Sequence, residues 1–163
     1  MSPPPLIQAL PPGGASAYAP VLAAVHDQGF DHPWSASDFA TLLDDPTIHA
    51  WVGLQGEAQV PVALLLCQVV IDEAEILTIC TNPNARRQGW GNHLMTNAST
   101  ALQAAGVTQW FLEVATDNTP AQALYRAHGF EQVGLRKGYY APLIPNGPQR
   151  DALVMRAPLS LGP

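Results

Sequence analysis

The 163-residue sequence predicts a single α/β (α+β) domain spanning residues 1–163, built on a central, mostly antiparallel twisted sheet of about six to seven strands flanked by about four helices. Three observations carry that expectation. Short apolar or alternating runs recur along the chain and read as strands. Four other stretches repeat apolar residues at helical spacing. The joints between them are tight Gly, Pro and Asn turns, with no linker and no internal repeat. With 47% hydrophobic and 12% charged residues, the chain is rich enough in apolar side chains for one packed core, which excludes general disorder.

Taken in order, a Pro-rich start leads into a short strand at Leu6–Leu10, stopped by Pro11-Pro12-Gly13-Gly14. Residues 15–26 place Tyr18, Leu22 and Val25 at helical spacing, and Gly29 follows as a stop. After the loop around Trp34, a second helix at 37–43 stacks Phe39, Leu42 and Leu43 before Pro46. Strands at 48–54 and 60–70, joined by a Gly-containing turn, form an antiparallel hairpin, with Pro61 tolerable at the start of its second strand. A strand at 75–81 leads through a Gly loop into a helix at 89–105, which buries Leu94, Ala98, Ala101, Leu102 and Ala105 and ends at Gly106. Residues 110–115 are another strand. Thr119 is the N-cap of a helix opened by Pro120 and closed by Gly129. Runs at 130–133 and 152–156 are closing strands around a long loop, 138–150.

Composition excludes several function classes. No apolar run approaches the roughly 20 residues of a membrane span, and the N-terminus lacks the basic and apolar regions of a secretory signal. Cys67 and Cys80 lie in apolar strands at no metal-ligand spacing and read as buried free thiols, so the expected setting is cytoplasmic. The five histidines show no ligand spacing either, and no metal is expected. Charge is asymmetric. All seven bases lie at or after Arg86, whereas nine of thirteen acids precede it, so the first 85 residues carry −9 and the remainder +3. A basic half suits an anionic ligand and an acidic half a cationic partner. No basic stripe interleaves with aromatics, which disfavours nucleic acid.

The chemistry concentrates at Arg86-Arg87-Gln88-Gly89-Trp90-Gly91. A strand, a Gly loop and a helix N-terminus form an anion site, because the first helical N–H groups have no partner within the helix and the macrodipole adds positive potential. Gly89 and Gly91 let a phosphate approach the backbone, and Arg86 and Arg87 add formal charge. The spacing is neither a dinucleotide fingerprint nor a P-loop. Downstream, Glu113 alternates with Leu112 and Val114, so it stands either on an exposed sheet surface or in a cleft where desolvation favours a general base. Tyr125 projects about 100° from Leu124, at the boundary of its helix, as a packing residue or a proton donor. Asn118 is a turn residue.

The ordered set Leu77-Thr78-Ile79, Arg86-x-x-Gly89-x-Gly91, Leu112-Glu113-Val114, Asn118, Ala123-Leu124-Tyr125, Gly129-Phe130 and Gly138-Tyr139-Tyr140, together with His32-Pro33-Trp34-Ser35, resembles the GNAT-fold acetyltransferases and, more narrowly, the ribosomal-protein-alanine N-acetyltransferases of the RimI type. The resemblance implies acetyl-CoA as cosubstrate, with Ile79, Cys80 and Thr81 on its acetyl and pantetheine end. Arg86, Arg87, Gln88, Gly89, Trp90, Gly91 and Asn92 would hold its pyrophosphate, and Asn118 would also contact it. It further implies Glu113 as general base, Tyr125 as general acid, and Trp34, Tyr139 and Tyr140 as walls of a peptide groove. The implied partner is a protein N-terminus, such as the N-terminal Ala of a ribosomal protein. The alternatives are a small amine as acceptor or a CoA-binding module without catalysis. Trp90 is bulkier than the small aliphatic residue usual between the two glycines, and Thr81 and Asn82 replace commoner residues after the strand. Residues 143–149 are where substrate choice would differ most.

Overall fold

The computed structural model describes residues 5–28, 33–140, 142 and 144–159; Gly29, His32 and Leu143, named above, lie outside them. In chain order the elements are β1 (Leu6–Leu10), α1 (Ala19–Asp27), α2 (Ala36–Asp44), β2 (Ile48–Gln55), β3 (Val60–Val70), β4 (Glu73–Thr81), α3 (Trp90–Ala104), β5 (Gln109–Ala115), α4 (Thr119–Ala127), β6 (Glu131–Tyr140) and β7 (Arg150–Pro158). The seven strands form one sheet in the order β1-β2-β3-β4-β5-β7-β6. Every neighbouring pair is antiparallel except β4 and β5, which run parallel. This is the mixed fold that the sequence predicts, with seven strands and four α-helices among the described residues.

Local chemistry explains the element boundaries. Ser35 caps α2 in a reciprocal box: its hydroxyl accepts from the Asp38 N–H, and the Asp38 carboxylate accepts from the Ser35 N–H. Gly106, at φ +90°, ends α3 and lets the Val107 N–H reach the Leu102 carbonyl at 3.0 Å.

Several expectations need correction. Tyr18 lies in a short 3-10 turn before α1 and is exposed. The α3 stripe is Trp90, Leu94, Met95, Ala98 and Leu102, while Ala101 in the last turn and Ala105, the C-cap, are exposed although their spacing puts them near the same stripe. Asn118, rather than Thr119, caps α4, with its side-chain carbonyl accepting from the Ala121 N–H at 3.3 Å. The strand expected at 130–133 runs on to Tyr140, so Gly138, Tyr139 and Tyr140 belong to β6 and not to a loop. Pairing with the apolar β7 holds them there. Cys80 is half-buried, whereas Cys67 is fully buried.

Two apolar layers sandwich the sheet. One, under α3 and α4, gathers Trp51, Leu65, Ile76, Leu94, Met95, Trp110, Leu112, Tyr125 and Met155. The other, under α1 and α2, gathers Leu22, Phe39, Leu43, Val52, Leu64 and Leu66. On that second side α1 packs over β3 and β4, and α2 over β2. Beyond β4 this face carries half-buried or exposed residues: Phe111 and Glu113 on β5, Val154 and Arg156 on β7, and Arg136 on β6. Among the described residues no helix is long and apolar enough to cross a membrane.

Candidate active site

The parallel pair positions everything else. β4 and β5 pair only at Glu73–Gln109, Ala74–Trp110 and Glu75–Phe111. Past that point β4 continues to Thr81 beside β3, and β5 continues to Ala115 beside β7. The two strands therefore splay, and the β4 edge that would bond to β5 faces a cleft. A bulge helps to shape it: Leu66 pairs with Thr78 and Cys67 with Ile76, which leaves Leu77 as an extra residue. Leu77 and Thr78 then turn to the α1 side, and Ile79 returns to the α3 side. Ile79, Cys80 and Thr81, assigned from the sequence to the acetyl and pantetheine end, are half-buried at the open end of this edge. Burial first, offset in part by Arg86, pushes the Cys80 thiol up to about 12, so it is no nucleophile at neutral pH.

Both helices that follow the splayed strands begin at its mouth. After β4, the chain passes through Pro83–Ala85 and enters α3 with Arg87 at φ +63° and Gly89 at φ +84°. Gly89 is the N-cap of α3 and has no side chain to satisfy the first helical N–H groups, which leaves them for an anion. Arg86 and Arg87 are exposed beside it, the Arg86 Nε donating to the Thr81 carbonyl at 3.4 Å. Gln88 accepts from Gln55 Nε2 at 2.9 Å, which ties the loop to β2. Gly91 is needed for a separate reason: a Cβ there would lie 2.9 Å from Leu124 Cδ2 of α4. Asn92 Oδ1 and His128 Nε2 are 2.6 Å apart, a second link between the two helices.

Trp90 points away from this anion site. Its ring is 4% exposed in the core, and a Cβ on Gly53 would come within 2.8 Å of its Cε3. The bulk that departs from the family pattern is thus absorbed by a glycine in β2, leaving only the Trp90 backbone at the loop. Its indole N–H is buried without a partner among the described residues.

At the other wall, Gln122 Nε2 donates to the Ala115 and Thr116 carbonyls at 3.0 Å each and fastens α4 to the end of β5. Tyr125 is 6% exposed, not at a boundary as the helical wheel suggests, because Phe130 folds back against it with ring centroids 5.8 Å apart. Burial first, and Tyr140 second, push its hydroxyl above the ordinary tyrosine range, so it holds its proton at neutral pH.

Glu113 stands on the opposite face of β5. Its carboxylate meets Arg136 Nη1 at 2.6 Å, with the Glu113 side chain 16% and the Arg136 side chain 52% exposed. The expected choice between exposed surface and apolar cleft thus resolves into a third arrangement, a mostly covered carboxylate with an arginine over it. A hydrogen bond to Glu113 raises Tyr139 above its ordinary value. The Tyr140 hydroxyl donates to the Glu113 carbonyl at 3.2 Å, and burial first, with the Tyr139 and Glu113 charges, pushes it up to about 12. Glu113 and Tyr125 therefore flank the cleft from opposite sides of the sheet.

Trp34 is half-buried and stacks on His26 with centroids 4.9 Å apart. The Trp34 N–H donates to His26 Nδ1 at 3.1 Å, so the imidazole proton lies on Nε2, which donates to Thr78 Oγ1 at 3.2 Å. One buried histidine thereby joins the loop bearing Trp34 to the bulged part of β4. Histidine spacing along the chain shows no sign of this link, and nothing in the sequence pairs Arg136 with Glu113. Among the described residues no group of three or more His, Cys, Asp or Glu is placed to hold a metal.

Comparison with known proteins gives consistent matches. Residues 20–130 match the model of the acetyltransferase (GNAT) family. A [ribosomal protein bS18]-alanine N-acetyltransferase of Escherichia coli strain K12 is 32% identical over 141 residues, covering 85% of this chain and 91% of that protein. A protein of the same description from Haemophilus ducreyi is 37% identical over 94 residues, covering 58% of this chain and 63% of that protein. Among solved structures, the ribosomal-protein-S18-alanine N-acetyltransferase from Escherichia coli superposes with a TM-score of 0.85 at 28% identity, covering 98% of this chain and 97% of that one.

Proposed function

Because this chain belongs to the acetyltransferase (GNAT) family, we propose that it is an Nα-acetyltransferase, moving the acetyl group of acetyl-CoA to the N-terminal amine of a protein, the N-terminal Ala of ribosomal protein bS18 being the first candidate. The observation that carries the reading is the splay of β4 from β5, with Glu113 on one face, Tyr125 on the other and an unpaired strand edge between them. The names of the relatives supply the candidate acceptor.

Bound acetyl-CoA supplies an activated acetyl thioester. In this proposal the open edge of β4 at Ile79, Cys80 and Thr81 binds its acetyl and pantetheine end and offers N–H donors to the carbonyl oxygen as that oxygen gains charge. The N–H groups from Arg86 to Asn92, with the two arginine side chains, hold the pyrophosphate at the start of α3. Asn118, whose Oδ1 caps α4, offers its Nδ2 end to the same cofactor in this proposal. Glu113 takes the proton of the acceptor amine, directly or through a water; an α-amine with a pKa of about 7.7–8.0 needs only modest help. Tyr125, kept protonated by burial, delivers its proton to the departing sulfur from the opposite face. Trp34, Tyr139 and Tyr140 line the acceptor's path. A cytoplasmic location accompanies a ribosomal acceptor.

Two matched peptides test this. One has a free N-terminal Ala followed by basic residues; the other is the same peptide with a blocked N-terminus and an added Lys. Transfer from acetyl-CoA, read by mass spectrometry, is expected on the free N-terminus. Binding of CoA without transfer to either peptide would remove the protein-acceptor reading and favour a small amine.

A further inference from the structure

In the sheet, β7 separates β6 from β5, yet three β6 side chains reach across it to one β5 residue. Arg136 bonds the Glu113 carboxylate at 2.6 Å, and its guanidinium lies 4.1 Å from the centroid of the Tyr139 ring. The Tyr140 hydroxyl reaches the Glu113 carbonyl at 3.2 Å, and Tyr139, under the Arg136 guanidinium, is raised above its ordinary value by its interaction with Glu113. Ala152 is the β7 residue opposite both Arg136 and Ala115, and its small side chain leaves room for the arginine to cross. From the other flank Glu75 of β4 acts on Glu113 and Arg136 through its charge, and from β7 the Arg150 guanidinium sits 5.5 Å from the Tyr140 ring centroid. Arg136 is the more exposed member of the pair, so it stands between the carboxylate and solvent.

Resting on the Nα-acetyltransferase reading above, we propose that Arg136 is a positioning residue that sets amine selectivity: by occupying the Glu113 carboxylate it disfavours acceptors that arrive as cations, so α-amines are acetylated in preference to lysine ε-amines. At pH 7 roughly a tenth of an α-amine population is neutral, against roughly one lysine side chain in 2,500. A neutral amine needs only a carboxylate lone pair to receive its proton during attack and leaves the ion pair in place. An ammonium instead brings a second cation to a carboxylate that already has one. At about 5 Å, like charges at a partly exposed site disfavour binding by roughly fourfold to a few hundredfold. Glu75 softens that penalty in the native site. Without Arg136, the Glu75 and Glu113 carboxylates together would attract cations.

The test is a competition within one peptide that carries a free N-terminal Ala and an internal Lys, with the Nα-to-Nε product ratio read by mass spectrometry. Arg136→Gln is expected to narrow the wild-type ratio by about tenfold. Arg136→Lys, which keeps the charge, is expected to restore it to within about twofold, and Lys137→Gln, at a neighbouring exposed cation, to leave it unchanged. An unchanged ratio in Arg136→Gln overturns the proposal whatever happens to the overall rate, since a merely structural fault slows both amines alike. Arg136→Lys behaving like Arg136→Gln also overturns it. Wild-type enzyme that leaves the free N-terminus unmodified fails the underlying reading first, and this inference falls with it.

Discussion

The half of the sheet from β1 to β4 and the half made by β5, β7 and β6 are built on different terms. In the first, helices cover both faces, and β3 is buried without interruption from Val62 to Cys67. In the second, β5 alternates, with Trp110, Leu112 and Val114 under α3 and α4 while Phe111 and Glu113 face the uncovered side. The first half carries packing energy, since a fully buried aliphatic side chain contributes about 1.5–3 kcal/mol. The second spends one face on charges: Glu113 with Arg136, and Arg156 with Glu73. A pair whose arginine stays in solvent stabilises a fold by at most about 1 kcal/mol, so this half gains less from its charged face than from its covered one. The cleft lies where the two halves part.

Substitutions that separate stability from chemistry sharpen this contrast. The largest expected effect belongs to the covered half. Trp90→Ala empties the space against Gly53 and should destabilise by about 3–5 kcal/mol, lowering the melting temperature by roughly 10 °C. A melting temperature within about 2 °C of wild type would contradict the inward packing. At the cleft mouth, Gly89→Val forces a branched side chain into φ +84°, at a cost of about 1–2 kcal/mol, and crowds the anion site. Acetyl-CoA affinity measured by calorimetry should fall about tenfold or more; unchanged affinity would remove this loop from cofactor binding.

The smallest effect is a pH dependence. Burial lowers His26 from its ordinary 6.5 to about 4, so the unfolded chain binds a proton at a pH where the folded protein does not. The stability tied to neutral His26 is therefore complete above about 6.5, is lost as pH falls from there toward 4, and levels off below. In His26→Gln the slope of melting temperature against pH across that window should flatten. An identical slope in wild type and variant would mean that other groups set it.

The same contrast explains what could be read from the sequence. β2 and β3, buried on both faces, appear as apolar runs and β4 as an apolar strand half-covered on one face, and all three were found within about two residues. β6 was cut short at residue 133 because Arg136 and Lys137 beyond it are exposed and look like loop residues; pairing with β7 is what continues the strand. The Gly loop was legible because its chemistry is local. The destination of Trp90 was not, since it depends on Gly53, which precedes it by 37 positions in the chain. Arg136 reaches Glu113 only because the strand order is β5-β7-β6, and strand order is not written in local periodicity. Tyr125 was placed one step too far out because Phe130, beyond the helix end, covers it. At Asn118-Thr119-Pro120 two residues are capable caps, and the first one takes the role.

The central claim, that the cleft between the halves holds a donor on one side and Glu113 as the base on the other, is met most directly by Glu113→Gln. Acetyl-CoA affinity and turnover on the free N-terminal Ala peptide should be measured on the same preparation. Affinity is expected to stay within about twofold while kcat/KM falls about a hundredfold, the lower range for loss of a general base. Equal turnover in variant and wild type would contradict the account and remove Glu113 from the chemistry.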